Sequence, residues 1–177
     1  VSEGFNEIAK KASTRFENEG SAVTNRGTYE TAKRAYDTIL DETKVLKNLR
    51  KDVYKKDKNL IAKRLKDFDS LNSKVSMFDN DFNRISNDIS RRNLSTAKKT
   101  DLQPYLDEMG DLEGSFKDKV KDVRNKIEEM KRAIKANKFP KAEGHLNQAI
   151  NLQQDVESSM NRLKGLEKEI NSVINRP

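Results

Sequence analysis

Apolar residues recur at intervals of three and four along most of the chain, which is the spacing of one face of an α-helix. The clearest run steps by 4, 3, 3, 4, 3, 4, 3 and 4 through Ile61, Leu65, Phe68, Leu71, Val75, Phe78, Phe82, Ile85 and Ile89. Such a run is typical of a helix that packs along one narrow seam. It predicts a helix that ends near residues 91–93.

Three further segments carry the same periodicity. Their apolar stripes extend from Tyr29 to Val53, from Tyr105 to Ile134 and from Ala142 to Ile174. At a rise of 1.5 Å per residue, helices of about 28 to 37 residues form rods roughly 40 to 55 Å long. Short connections between such rods favour antiparallel neighbours. The predicted fold is therefore all-α, an elongated antiparallel helical bundle with three to four long helices and heptad-type seams.

The helix ends are predicted from capping and turn residues. Thr28 can cap the first long helix. Thr100 and Gln103 have the spacing of a capping box, and Pro104 then falls in the first helical turn, where its missing N–H does no harm. Asn137 is predicted to be a left-handed C-cap, and the Phe-Pro pair that follows opens the last helix.

Asp57 decides between three and four helices. It occupies the position after Val53 at which the stripe should be apolar, and lysines flank it. A charged residue there favours a turn, which gives four long helices. No glycine or proline enforces that turn, so one uninterrupted helix is the alternative. The result would be a three-helix rod that resembles spectrin-like repeats in general form.

Residues 1–27 are predicted to form a short N-terminal helix and a linker, followed by the bundle in residues 28–177. The short helix would bury Phe5, Ile8 and Phe16, and Gly20 with the Asn-Arg-Gly at 25–27 would form the joint. A homodimer through the same three apolar residues is an open alternative.

Composition agrees with thin, long helices, because 33% of the residues are apolar and 37% are charged. The chain has no cysteine, which removes disulfides, thiol catalysis and thiolate metal sites. It begins at Val1 rather than Met, so we expect a leader or a neighbouring domain upstream. An exported protein or lipoprotein at a bacterial cell envelope is slightly favoured over a cytoplasmic one.

Positive charge is concentrated in two predicted turns. The stretch from Lys44 to Lys66 holds ten basic and two acidic residues, a local charge of +8, whereas the whole chain carries +7. The five basic residues between Lys131 and Lys141 have no acid among them. In the four-helix topology both turns lie at the same end. The predicted anion-binding residues are Lys51, Lys55, Lys56, Lys58, Lys63, Arg64, Arg132, Lys135 and Lys138.

Acidic residues are expected at the opposite end, which would make the molecule strongly dipolar. They are Asp79, Asp81, Asp88, Asp101, Asp107, Glu108, Asp111 and Glu113. We interpret acidic clusters such as Asp107-Glu108 as solvated helix faces. The lysines at the basic end have the same alternative interpretation, since outward-facing lysines are the normal cover of a soluble helix.

The sequence predicts no catalytic residue, metal site or cofactor. His145 is the only histidine and is interpreted as a partly covered surface residue. Glycine-rich phosphate loops are absent. The polar residues in the seams, Thr43, Asp57 and Gln153, are interpreted as register or turn devices.

Methionine and glycine residues also lie at or beside the predicted seams. Met77, Met109, Met130 and Met160 are predicted to fill the core. Gly110 and Gly114 lie beside a stripe and either permit close helix approach or weaken the helix.

Two functions are consistent with these observations. The first is a non-enzymatic interaction or spacer protein, with a protein partner along an exposed helical face. The alternative is a module whose basic end binds an anionic envelope surface, either a cell-wall polymer or membrane phosphates. Nucleic acid ranks lower, because Tyr54 is the only aromatic residue in the basic stretch and base stacking usually needs more.

Overall fold

Four long helices make up the described part of the protein. The computed structural model describes residues 19–177, and their side chains from residue 31 on except at positions 79, 81, 82, 84–86, 88 and 90. The helices are α1 (Glu19–Tyr54), α2 (Lys58–Arg91), α3 (Thr96–Lys135) and α4 (Phe139–Ile174). No strand occurs in these residues. The all-α prediction is confirmed, and so is the four-helix alternative.

Short turns connect the helices, so sequence neighbours run antiparallel. α1 packs against both α2 and α4, and α3 packs mainly against α4, whereas α2 touches α3 only lightly. Among residues 19–177 the backbones of α1 and α3, and those of α2 and α4, do not come close to each other. α1 and α4 therefore form the centre of an elongated bundle, with α2 and α3 on its flanks. None of the described helices has an apolar run of the length that crossing a membrane requires.

The turns after α1 and α3 share one geometry. Lys56 and Asn137 both have φ near 58°. The N–H of Asp57 donates to the carbonyl of Asp52 at 3.1 Å, and that of Lys138 donates to Ala133 at 2.8 Å. These bonds define a Schellman ending with one left-handed residue. The prediction for Asn137 is confirmed. The sequence did not indicate a left-handed residue at Lys56, because lysine rarely adopts a positive φ.

Asp57 lies in the turn between α1 and α2, as the sequence predicts. Its carboxylate accepts a hydrogen bond from the N–H of Leu60 at 3.1 Å, so Asp57 is the N-cap of α2. The charged residue at a seam position thus stabilises the start of a new helix instead of being buried in an old one.

The predicted start of α3 is wrong by about one turn. Ser95 is the N-cap, since its hydroxyl accepts a hydrogen bond from Lys98 N–H at 3.2 Å. Thr100 and Gln103 lie inside the helix, and so does Pro104. Pro104 is exposed, and its missing N–H removes one bond near the helix start, which the packed remainder of α3 outweighs.

Helix α1 begins earlier than predicted. Residues 20–27, which the sequence marks as a joint, are helical, and Thr28 is an interior residue instead of a cap. Glycine and asparagine permit a turn but do not enforce one, so a helix anchored by its packed half continues through them. The predicted helix with Phe5, Ile8 and Phe16 lies outside the described residues, and a separate unit at 1–27 stays a prediction.

The core lies along the faces shared by α1, α3 and α4. Its central side chains are fully buried, among them Ile39, Leu46, Met109, Met130, Leu146, Met160 and Leu163. Three of the four methionines thus fill the core as predicted. The prediction for Met77 is wrong, because 66% of it is exposed on α2, the helix with the fewest neighbours.

Candidate functional site

The two basic turns lie side by side at one end of the bundle. The Nζ atom of Lys56, in the α1–α2 turn, lies 6.0 Å from the ring centroid of Phe139, the first residue of α4. The antiparallel topology brings both turns to this end, as the four-helix arrangement predicts. We call residues 51–66 and 131–141 the basic pole.

Eight of the nine predicted anion-binding residues are exposed, and none of the eight forms an ion pair with any described carboxylate. They are Lys51, Lys55, Lys56, Lys58, Lys63, Arg132, Lys135 and Lys138. Arg64 is different, since its Nε lies 3.2 Å from Oδ2 of the buried Asp52. Arg64 therefore holds α2 against α1, and its charge is already compensated.

A groove of about 400 Å³ lies between α3 and α4 within and beside the basic pole. Its charged lining is Glu129, Arg132, Lys138, Lys141 and His145. Lys138 precedes α4 without a side-chain hydrogen bond to the helix, so no side chain caps the first N–H groups of α4. The groove therefore combines cationic side chains with the positive end of a helix dipole.

His145 is a partly covered surface residue, as predicted, with 21% of its side chain exposed. Its Nδ1 lies 3.1 Å from Oε1 of Glu129, which also accepts a hydrogen bond from Lys126 at 3.2 Å. The hydrogen bond from Lys126 is the main reason that the pKa of Glu129 is lowered, and the charge of His145 adds to it. Glu129 is thus a compensated carboxylate within a mostly cationic groove.

Two acidic residues towards the opposite end of the bundle, Glu108 and Asp101, form ion pairs with arginines. Arg162 contacts Glu108 through two hydrogen bonds of 2.6 and 2.9 Å, which lower the pKa of that carboxyl. Arg176 donates to Asp101 at 2.6 Å. Asp107 and Asp111 are exposed, and the side chains at positions 79, 81 and 88 lie outside those that the structure describes. The predicted charge dipole therefore stays a prediction.

Polar side chains cross the seam between α1 and α4. Gln153 donates from its Nε2 to Oε1 of the buried Glu42 at 2.9 Å and lies 3.3 Å from the carbonyl of Ile39. The hydroxyl of Thr43 lies within hydrogen-bonding distance of Glu157 and of the Ile39 carbonyl. Gln153 and Thr43 thus join two helices at one level, which fits the predicted role in register.

Glu42 itself was not predicted to be buried. Only 2% of it is exposed, and burial raises its pKa to about 7 although Gln153 and the charge of Arg124 favour ionisation. Glu42 follows Ile39 by three residues, so its spacing offered a signal. Thr43, the next residue, fits the same apolar stripe and was therefore assigned to the seam in place of Glu42.

A second buried acidic site lies between α3 and α4. Glu167 is 0% exposed and Glu113 is 8% exposed. Burial raises the pKa of Glu167 to about 8, and the charge of Glu113 raises it further. We call Glu113 and Glu167 the acidic pair. The expectation that Glu113 belongs to an acidic end is wrong, because its side chain faces the interior.

The acidic pair is the main feature that the sequence analysis missed. Glu113 follows Met109 by four residues and precedes Phe116 by three, and Glu167 stands in the same relation to Leu163 and Ile170. Both positions therefore fit the seam. The adjacent residues, Leu112 and Leu166, fit the seam as well. An apolar residue is the one normally expected to be buried when two adjacent positions both fit.

The described side chains offer little for metal or acid–base chemistry beyond these two buried sites. No group of three or more histidine, aspartate or glutamate side chains converges in the part of the chain that the structure describes. Comparison of the chain with protein-family models, curated proteins and solved structures gave no match.

Proposed function

We propose that this protein is a non-enzymatic helical spacer whose basic pole binds a polyanionic surface. The observation that carries the proposal is the contact between Lys56 and Phe139, which joins two basic turns that are about 80 residues apart in sequence. Neither turn alone forms a large surface. Together they present eight exposed cations that form no ion pair with a described carboxylate, although the charge of Arg132 acts on Glu129.

An extended polyanion fits this pole better than a small ligand does. The cations are distributed over two turns and the adjoining helix ends, and they surround no enclosed cavity. Such a distribution neutralises several phosphates at once, so that binding releases counterions and weakens steeply as salt rises. Phosphodiesters of membrane lipids or of a cell-wall polymer provide that chemistry, and we propose an envelope location accordingly.

The rod shape complements a binding surface at one end. At 1.5 Å per residue, helices of 34 to 40 residues are about 50 to 60 Å long. A protein attached by its basic pole would hold its opposite end at that distance from the surface. This geometry requires only a thin core and no active site.

Nucleic acid is a weaker candidate partner. Tyr54 is 73% exposed at the basic pole, but Phe139 is covered by Lys56 and is only partly exposed. A single free aromatic ring provides little stacking for bases.

The test is cosedimentation with phosphatidylglycerol-containing vesicles and with teichoic-acid-bearing wall fragments, at about 20 and 150 mM salt. The variant Lys55→Glu/Lys56→Glu/Lys58→Glu should bind at least ~10-fold more weakly than the wild type, because it removes three phosphate contacts. The matched control is Lys33→Glu/Lys74→Glu/Lys121→Glu, which makes the same change in net charge at exposed positions in the middle of the rod.

The control should keep most of the wild-type affinity. Equal losses in both variants would mean that net charge alone drives association. Wild-type protein that fails to sediment with either surface at low salt would refute the proposal.

A further inference from the structure

Tyr54 is a large apolar side chain that lies outside the core, at the tip of the basic pole. It is the last residue of α1, and 73% of it is exposed, whereas its neighbour Val53 is 1% exposed and belongs to the core. Among the described side chains, Met77 on α2 is the other large hydrophobic residue that is exposed to a similar extent, at 66%. Packing within the fold therefore does not account for the ring of Tyr54.

Lysines surround Tyr54 on the same tip. Lys51 precedes it by three residues, which places both side chains on one face of α1. Lys55 and Lys56 follow it directly in the turn, and Lys58 begins α2. All four lysines are exposed. The tip thus combines one free aromatic ring with a cluster of positive charges.

The two carboxylates of this turn are held within the protein. Asp52 is 5% exposed, and its Oδ2 lies 3.2 Å from Nε of Arg64. Asp57 is half-buried, accepts a hydrogen bond from the N–H of Leu60 and caps α2. Residues 131–141, the other turn of the basic pole, contain no acidic residue. Because neither carboxylate of the pole is fully exposed, the tip can approach a negatively charged surface closely.

We propose that the basic pole binds the surface of an anionic phospholipid bilayer, with the ring of Tyr54 inserted between the lipid headgroups. This inference rests on the proposed function and names its partner. The lysines contact lipid phosphates, as polybasic segments beside membranes do. The ring enters the interfacial region, where tyrosine is enriched in membrane proteins because one end of the side chain is apolar and the other polar.

A cell-wall polymer would make no use of the ring. A hydrated chain of polyol phosphates offers negative charge but no apolar phase, so the ring would stay in water beside it. A bilayer offers both, because its interface lies between charged headgroups and acyl chains. The apolar stems of lysine side chains also fit this interface, since they lie along it while their ammonium groups reach phosphate. The combination of ring and lysines therefore favours lipid over a polymer of similar charge.

Salt separates the contribution of the ring from that of the lysines. The lysine contacts release counterions, so their contribution falls as salt rises, with a slope set by the number of phosphates neutralised. Burial of an apolar ring releases no counterion. A variant without the ring should therefore lose the same factor in affinity at every salt concentration. A variant without lysines should lose part of the salt dependence as well.

The first test is cosedimentation of wild type and Tyr54→Ser with phosphatidylglycerol-containing vesicles, at salt concentrations between about 20 and 150 mM. The substitution keeps the net charge and, because Tyr54 is exposed, the fold. We expect the variant to bind about 5- to 10-fold more weakly at each concentration, since it loses the burial of the ring. Its binding to wall fragments should equal that of the wild type.

The matched control for this test is Met77→Ser. It removes the other exposed large hydrophobic residue, which lies about 28 Å along α2 from the start of that helix. The control should bind vesicles like the wild type. Equal losses in Met77→Ser and Tyr54→Ser would overturn the inference, because they would show that the effect does not depend on the tip.

The second test follows the ring position itself. The chain contains no tryptophan, so Tyr54→Trp provides a single indole at the tip. When anionic vesicles are added, its fluorescence emission should shift to shorter wavelength, and lipids brominated on their acyl chains near the headgroup should quench it. Met77→Trp should bind vesicles equally well and show neither change. Wall fragments should leave the emission of both variants unchanged.

Three further results would overturn the inference, and the first two leave the proposed function standing. Wild type that binds wall fragments but not vesicles would identify the polymer as the partner. Equal vesicle affinity of wild type and Tyr54→Ser, or an unshifted emission of vesicle-bound Tyr54→Trp, would mean that the pole binds by charge alone. Wild type that binds neither surface would refute the proposed function together with the inference.

Discussion

A carboxyl group in an apolar seam is stable only if a proton, a donor or a cation accompanies it. The bundle illustrates this at two levels along its axis. At Glu42 the amide of Gln153 provides a donor, and the pKa rises only to about 7. At Glu167 no donor is present among the described residues, and the pKa rises to about 8. Burial raises both pKa values; the hydrogen bond from Gln153 and the charge of Arg124 oppose it at Glu42, whereas the charge of Glu113 adds to it at Glu167.

These raised pKa values predict that the buried glutamates make the protein less stable as pH rises. The ordinary pKa is 4.5, so between about pH 4.5 and 8 the unfolded chain releases a proton that folded Glu167 retains. The contribution of Glu167 to stability is therefore greatest below pH 4.5 and falls by up to ~1.4 kcal/mol per pH unit between the two pKa values. Glu42 contributes a fall of the same sign that ends near pH 7.

Glu167→Gln should flatten much of this fall. We expect the variant to match the wild type at pH 4.5 and to be more stable at pH 8, as measured by urea unfolding in the presence of a chelator. Glu169→Gln, which changes a half-exposed carboxylate, should follow the wild-type pH profile. Parallel profiles for wild type and Glu167→Gln would contradict the assignment.

Single residues show where sequence reasoning succeeds and where it fails. Asp57 and Asn137 were predicted because their side chains act on the backbone of the residues next to them. Glu113 and Glu167 were not predicted, because burial depends on how wide the seam is and which helix covers it. Periodicity shows which face of a helix carries the apolar stripe. The packing of the neighbouring helix decides whether residues at the border of that stripe are exposed to solvent.

At the scale of elements, interior positions were predicted better than ends. The run from Ile61 to Ile89 predicted a helix that ends near residues 91–93, and α2 ends at Arg91. The start of α3 was assigned to Thr100 because Pro104 favours a first turn. Ser95 caps the helix instead, and one lost hydrogen bond is too small a cost to prevent a 40-residue helix from starting there.

The glycines of α3 lead to a prediction at the same scale. A Cβ added at Gly110 or Gly114 would meet nothing within 4 Å, and neither residue has a positive φ. Close helix approach therefore does not explain them, and each weakens the helix by roughly 0.5–1 kcal/mol relative to alanine. Gly110→Ala and Gly114→Ala should each raise the urea midpoint, and the double variant should show the sum.

The glycine variants should leave anion binding unchanged. A lower midpoint in either single variant would mean that a partner or a residue outside the described part of the chain occupies that face. Alanine at Gly165 provides a comparison, because its Cβ would touch Arg162 at 4.0 Å, an ordinary contact.

The whole molecule places unpaired cations at one end and cross-helix ion pairs at the other. This arrangement follows from topology and could be predicted once Asp57 was interpreted as a turn. The pairing of the acidic residues could not, because it depends on where Arg162 and Arg176 lie relative to α3. The size of the predicted charge dipole stays a prediction.

The two ends should respond to salt in opposite ways. Cations of the basic pole repel one another, so salt stabilises that end by screening. Ion pairs such as Arg162 with Glu108 are exposed to solvent and contribute little, and salt weakens them. The wild type alone therefore reports only the balance of the two effects.

A comparison of two variants isolates the basic pole. Lys55→Glu/Lys56→Glu/Lys58→Glu retains every ion pair of the opposite end, so any change in salt dependence arises from the basic pole. At about 20 mM salt we expect this variant to exceed the wild type in free energy of unfolding by on the order of 1 kcal/mol, and at 500 mM the difference should largely vanish. Urea unfolding at both salt concentrations measures it. The mid-rod control, Lys33→Glu/Lys74→Glu/Lys121→Glu, should show a smaller change, because its lysines are more widely separated.

If the pole variant were less stable than the wild type at low salt, the lysines would have to take part in stabilising contacts within the fold. Their loss could not then be interpreted as the loss of a binding surface.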